Sequence, residues 1–214
     1  MYLKKILMVF GLLLVLGGCE SVKLKTLEQL GYEKRDILTG RIEKAKDSQE
    51  EAKEQFASAL EEFQSVVKFD GGELEAVYNR LNEQFKKSQQ SAQAVSDRID
   101  SVEYVAEKLF DEWQTELSQY SSASLKQKSQ LKLNQTKKRY AALIKTMKKV
   151  EKKMQPVLAV FQDQVLYLKH NLNARAIDAI KEELSGIKKD VSVLIKQMNQ
   201  SISESNQFIK QMEN

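Results

Sequence analysis

The sequence predicts an all-α protein: an elongated antiparallel bundle of four long helices with coiled-coil-like packing. Breakers are sparse, with one proline and eight glycines in 214 residues, and 30% of the chain is charged. Apolar seams recur in alternating steps of four and three residues. That 3.5-residue repeat keeps one stripe of a helix facing its neighbours and imposes left-handed packing. Short breaks separate the seams, and nothing alternates like a run of β-strands. Four helices rank above three with one bent segment.

The chain divides into residues 1–18, 19–32 and 33–214. The first piece has the three parts of an export signal. Lys4 and Lys5 give a positive start, residues 6–16 are apolar but too short to span a bilayer, and Gly17 and Gly18 precede Cys19. Leu16-Gly17-Gly18-Cys19 resembles the lipobox of bacterial lipoproteins. That resemblance implies diacylglyceryl transfer to the Cys19 sulfur, cleavage before it and acylation of the new amino terminus. Two or more acyl chains make a stable anchor, at about 0.8 kcal/mol per buried CH2. Glu20 is not the inner-membrane-retaining Asp of the bacterial sorting rule, which favours the outer membrane, periplasmic face. Cys19 is the only cysteine, so intrachain disulfides and multi-thiolate metal sites are excluded. Residues 19–32, with Gly31 and no sustained period, read as a lipidated tether, partly helical.

The first helix is expected over residues 34–69, with the seam Leu38, Ile42, Ala45, Gln49, Ala52, Phe56, Ala59, Phe63, Val66. Gly40 inside it costs about 1 kcal/mol against alanine. Asp70-Gly71-Gly72 ends it, because glycine takes the left-handed conformation that a helix terminus often needs. The second helix, 73–120, holds the longest seam: Leu74, Tyr78, Leu81, Phe85, Ser88, Ala92, Val95, Ile99, Val102, Ala106, Leu109, Trp113. Serines at 121, 122 and 124 break the chain and offer a cap for the third helix, 125–170. Its seam runs Ser129, Leu133, Thr136, Tyr140, Leu143, Met147, Val150, Met154, Val157, Phe161, Gln164, Leu168, with a kink expected at Pro156. Residues 157–168 are apolar on several faces and are expected to be the most enclosed part. Asn173 is the expected N-cap of the last helix, 174–212, whose seam is Ile177, Ile180, Leu184, Ile187, Val191, Leu194, Met198. Beyond Met198 the seam turns polar at Ser201 and Ser205, so that end is expected to fray.

Short connections imply antiparallel neighbours. The break at 121–124 then lies at the tether end, and the hairpin there projects about 15 Å past the start of the first helix at 1.5 Å per residue.

Charge is segregated. Residues 73–120 carry ten acids and five bases, whereas residues 126–153 carry eleven bases and one acid, Glu151. Lys132, Lys137, Arg139 and Lys153 flank the third seam and are expected to pair with acids on neighbouring helices. Lys138, Lys145, Lys148, Lys149 and Lys152 are expected to point outward, away from any partner within the chain. A solvated face is the plain reading; the alternative is a stripe for an anionic surface such as lipopolysaccharide, phospholipid headgroups, a cell-wall polymer or an acidic protein. Nucleic acid is not expected, since no aromatics interleave the lysines as base-stacking platforms.

Reaction chemistry is missing from the sequence. His170 is the only histidine, no Glu-x-x-His pattern exists for a di-iron bundle core, and no phosphate-cradling Gly-x-x-x-x-Gly-Lys-Ser/Thr loop occurs. No nucleophile can be matched to a base. No enzyme activity, cofactor or metal is expected, and Trp113 reads as core.

Several stretches resemble an uncharacterised family of bacterial helical lipoproteins, catalogued as a domain of unknown function (family 2959). They are residues 34–38 (KRDIL), 48–63 (SQEEAKEQFASALEEF), 68–72 (KFDGG), 109–113 (LFDEW), 120–125 (YSSASL) and 163–177 (DQVLYLKHNLNARAI). The likeness spans nearly all of the chain after Cys19. It implies a helical lipoprotein and no mechanism. The expected role is structural or interaction-based, in contact with the membrane through the anchor and with an envelope protein or anionic polymer, and a homo-oligomer is compatible. A weaker expectation is a hydrophobic-ligand carrier built on residues 157–168.

Overall fold

A computed structural model gives the structure of residues 24, 33–66 and 73–213. Residues 1–18, Cys19 and the Asp70-Gly71-Gly72 break lie outside the described residues. Four helices follow in order: α1 (Lys34–Ser65), α2 (Leu74–Glu116), α3 (Ala123–His170) and α4 (Ala174–Glu213). No strand occurs among the described residues.

The boundaries follow local chemistry. α2 ends four residues short of the expected boundary at 120 and tightens into a 3-10 turn, Leu117–Gln119. The Ser122 hydroxyl then accepts a hydrogen bond from the Leu125 backbone N–H, capping α3. Asn173 caps α4 in the same way, its Oδ1 accepting from the Ala176 N–H at 3.3 Å. α3 continues through Pro156 as one helix. Pro156 lies on the exposed side, and the carbonyl left without a donor belongs to Lys152, which is also exposed.

Every seam residue of α1 from Leu38 to Val66 is buried, including Gln49. Those of α2, α3 and α4 are buried or half-buried throughout. α1 packs on α2 and α4, and α3 packs on the same two. The helices therefore stand at the corners of a square, each antiparallel to both neighbours. Lys34 at the start of α1 meets Glu112 near the end of α2 (2.9 Å), and Glu62 near the end of α1 meets Arg80 near the start of α2 (2.8 Å). Across the diagonal, the Phe161 ring of α3 stacks on Phe63 of α1 with centroids 4.8 Å apart, and Phe56 lies at 6.1 Å.

Each helix has two neighbours, so its contacts spread beyond the a and d positions of the heptad. α1 meets α2 through g positions, where Gln55 donates to the Gln84 Oε1 at 2.8 Å. α3 meets α4 likewise, with Thr146 donating to Glu204 (2.6 Å) and Arg139 to Gln211 (3.1 Å). α2 meets α3 through e and b positions, where Ser96 bonds Glu151 and Lys148 bonds Glu103. α4 carries isoleucine at successive e positions, 195, 202 and 209, packed into the core on the flank turned from α3 toward α1. The ring is closed.

Two expectations are corrected. The end of α4 does not fray: Ser201 and Ser205 are fully buried, and the four-three register runs on through Phe208 and Met212. The Ser205 hydroxyl is satisfied by the Ser201 carbonyl at 2.9 Å, so a small polar side chain sits in the seam without a dangling donor. Residues 157–168 are not enclosed on all sides. Val157, Leu158, Phe161, Val165 and Leu168 are buried, while Leu166 and Tyr167 are exposed. Leu24, in the stretch expected to be a tether, is helical and buried in the core cluster.

Two substitutions test this packing. Phe161→Ala removes the ring between Phe56 and Phe63 and lowers unfolding free energy by about 3–5 kcal/mol. Gly40→Ala raises it by about 0.5–1 kcal/mol, because a Cβ at Gly40 meets nothing within 4 Å. Urea unfolding followed by circular dichroism reads both.

Candidate functional site

The two groups of candidate residues fare differently. Cys19 lies outside the described residues. The basic group sits on α3. Lys138, Lys145 and Lys152 occupy successive f positions and Lys149 a c position; all four are exposed and make no ion pair among the described residues. At seven-residue spacing the first three form a row about 21 Å long at 1.5 Å per residue.

Lys148 departs from expectation and is corrected. Its Nζ lies 2.7 Å from Glu103, 3.5 Å from Asp100 and 3.6 Å from Glu151, so it belongs to the α2–α3 contact. It occupies a b position, which a two-helix frame places outside the interface and a square bundle places on its flank. The hydrogen bond to Glu103, with the charges of Glu151, Glu103 and Asp100 behind it, raises the Lys148 ammonium above the usual lysine range. The expected pairing of Lys132, Lys137, Arg139 and Lys153 with acids is corrected too. Lys132 and Lys153 make no ion pair among the described residues, Lys137 sits 5.7 Å from the Phe110 ring centroid, and Arg139 bonds the amide oxygens of Gln211 and Gln135. On the g flank of α3, α4 meets Arg139 with a glutamine, Gln211, and its Glu204 accepts from Thr146.

Tyr140 lies beneath this face, half-buried, with its ring edge-on to Phe110 at 5.4 Å. Burial, with the Glu103 charge adding to it, pushes its phenol well above the ordinary tyrosine range.

The hairpin between α2 and α3 is a second feature. It stands at the start of α1, since Glu112 pairs with Lys34, and extends past that level. Trp113 closes its base, donating from Nε1 to the Ser129 hydroxyl at 2.8 Å, so this indole is part of the packing. Residues 119–128 are exposed throughout. Tyr120, Leu125 and Leu131 are 41%, 53% and 55% exposed. The sequence contained the signal for this feature in the absence of any acid between residues 117 and 150.

Other chemistry is sparse. His170 is exposed in the last turn of α3 beside Lys169, where positive charge suits the helix dipole. Among the described residues no cluster of three His, Cys, Asp or Glu side chains is placed to hold a metal ion, and no helix is long and apolar enough to cross a membrane. Beside residues 157–168 lies an open groove of about 220 Å³, lined by Phe85, Leu158 and Ala159 but also by Gln89, Gln93, Gln155 and Gln162. Its glutamine rim suits water better than an apolar ligand.

Residues 24–212 match the family model described as protein of unknown function (DUF2959). The chain belongs to that family. The match covers all four helices together with Leu24, so the bundle and the family domain coincide. No curated protein and no solved structure matches the chain.

The buried phenol and the paired ammonium make stability fall at alkaline pH. Both groups hold their protons more tightly folded than unfolded, so their contribution is complete below the unfolded pKa values, about 10 for each. It is lost as pH rises through the higher folded values. The urea midpoint is expected to be flat from pH 7 to about 9 and to decline above about 10. Tyr140→Phe makes that decline shallower.

Proposed function

We propose that this protein is a lipid-anchored bundle of the bacterial cell envelope, held at the outer membrane on its periplasmic face, with a structural or partner-binding role and no catalytic centre. The observation that carries the reading is the order of the first nineteen residues: two lysines, a short apolar run, two glycines, then the single cysteine. The bundle supports it from the other side. A rod packed around narrow seams, with ion pairs and amides on its flanks and no gathered nucleophile, base or metal cluster among the described residues, suits spanning and docking better than turnover.

A second reading keeps the anchor and adds an anionic envelope component as ligand, such as lipopolysaccharide, phospholipid or cell-wall polymer. The observation favouring it is that Lys138, Lys145, Lys149 and Lys152 project from one helix without acidic partners among the described residues. Lys148 no longer belongs to that set.

Intact mass of the protein purified from envelopes tests the anchor. The expected species begins at Cys19 and carries acyl chains, and Cys19→Ser is expected to release the protein from the outer-membrane fraction or leave it unprocessed. An unmodified Cys19 with Met1 retained overturns the reading. For the second reading, Glu at positions 138, 145, 149 and 152 in an unlipidated form lacking residues 1–19 is expected to abolish its retention on isolated envelopes at low salt. Unchanged retention removes it.

A further inference from the structure

We infer that the α2–α3 hairpin is a membrane-contacting tip: Tyr120 and Leu125 enter the headgroup region of an anionic bilayer, and Lys126, Lys128 and Lys132 bind its phosphates. This rests on the lipid-anchored reading and adds a second contact with the same membrane.

Three observations converge. The first is position. The Lys34–Glu112 pair puts the start of α1 and the far end of α2 at one end of the bundle, so the hairpin shares that end with the segment leading back to Cys19. Beyond that pair α2 runs four more residues and then three in a 3-10 turn. The hairpin thus projects about 12 Å past the α1 start, at 1.5 and 2.0 Å per residue. Leu24, packed in the core cluster nine residues before Glu33, lies within about 30 Å of the α1 start at 3.3 Å per residue, and Cys19 lies within about 17 Å of Leu24. An acyl chain at Cys19 therefore keeps the tip within reach of the surface holding it.

The second observation is composition. Tyr120 and Leu125 flank the turn 41% and 53% exposed, next to each other at the projecting end. A tyrosine and a leucine beside a turn are side chains that rest at a lipid–water boundary.

The third is charge. Residues 117–136 hold three lysines and no acid. Lys126, Lys128 and Lys132 are all exposed and form no ion pair among the described residues. On α3 they lie about 5 to 14 Å from the helix start at 1.5 Å per residue. With Leu125 at the acyl boundary they stand at the height of the phosphates, where basic side chains near a membrane are attracted. The opposite end supplies a built-in contrast. Leu166, Tyr167 and Leu172 are equally exposed there, but that end lies a bundle length from the anchor. Exposed apolar side chains and acid-free basic neighbours, Lys169 and Arg175 at the far end, are shared by the two ends; the nearness of the anchor is not.

The test uses the full lipidated chain carrying Leu125→Cys, labelled with an environment-sensitive fluorophore and reconstituted in vesicles. With Cys19 acylated the new thiol is the only free one, so one dye per chain is expected. In vesicles of phosphatidylglycerol and phosphatidylcholine, the label is expected to shift to the blue and to be quenched by brominated lipid. In phosphatidylcholine alone it stays aqueous, as does the same dye at Leu172→Cys in either vesicle. Adding Lys126→Gln, Lys128→Gln and Lys132→Gln is expected to abolish the shift. An aqueous Leu125 label in anionic vesicles at one dye per chain overturns the tip while sparing the anchor. Two dyes per chain overturn the anchored reading and the inference built on it.

Discussion

One apolar seam is enough to join two helices, but four helices around a common core need each rod to be closed on two sides. The alternation of g-to-g and e-to-e contacts meets that need. α1 and α2 share the Gln55–Gln84 and Lys34–Glu112 pairs on g flanks, and α3 and α4 share Thr146–Glu204 and Arg139–Gln211. The remaining flanks of α2 and α3 meet through Ser96–Glu151 and the Lys148 cluster, and the isoleucines at 195, 202 and 209 line the remaining flank of α4. Everything else about the molecule follows from this closure: its square section, the common end of α1 and the hairpin, and the exposure of the α3 f positions.

The core is not uniformly apolar. Gln49, Ser88, Thr136, Ser201 and Ser205 are buried seam residues. Thr136 and Ser205 bond carbonyls one turn back, and Ser88 receives a bond from Gln55. The amide of Gln49 and the hydroxyl of Ser201 have no partner among the described residues. An unpaired buried polar group costs about 1–3 kcal/mol, a loss the surrounding seam must offset. Polar side chains at a positions restrict the registers a bundle can adopt, and small ones let helices approach closely. Gln49, Ser201 and Ser205 sit between the aromatic cluster of Phe56, Phe63 and Phe161 and the Phe110–Tyr140 pair, and Thr136 lies one turn beyond Tyr140 toward the α2–α3 hairpin.

The helices and their inward faces were legible because the 3.5-residue period is a local property of each segment. Leu38 through Val66 could be placed residue by residue, and the caps at Ser122 and Asn173 followed from side-chain chemistry. What could not be read was which neighbour each flank meets. Lys148 lies one residue past a seam position and was expected outside, yet α2 brings Asp100 and Glu103 to it. Lys132 and Lys153 were expected to find acids, but flank membership does not say what the neighbour presents. The α4 terminus differs from expectation for a related reason: two serines look like the end of a seam, whereas Phe208 and Met212 carry it on. The exposed tip was hidden differently, because only the relative lengths of packed helices decide which apolar residues extend past their neighbours.

Closure of the last helix on the first is the claim from which the rest is built, and an interspin distance tests it directly. Glu43 on α1 and Ser203 on α4 are both exposed, and the antiparallel register places them at one level. With spin labels at these two positions in a Cys19→Ser background, the closed bundle predicts a single narrow distribution near two helix diameters, about 20–25 Å. A broad distribution centred beyond about 50 Å, several helix diameters apart, would mean that α4 does not lie against α1 and would contradict the four-helix ring.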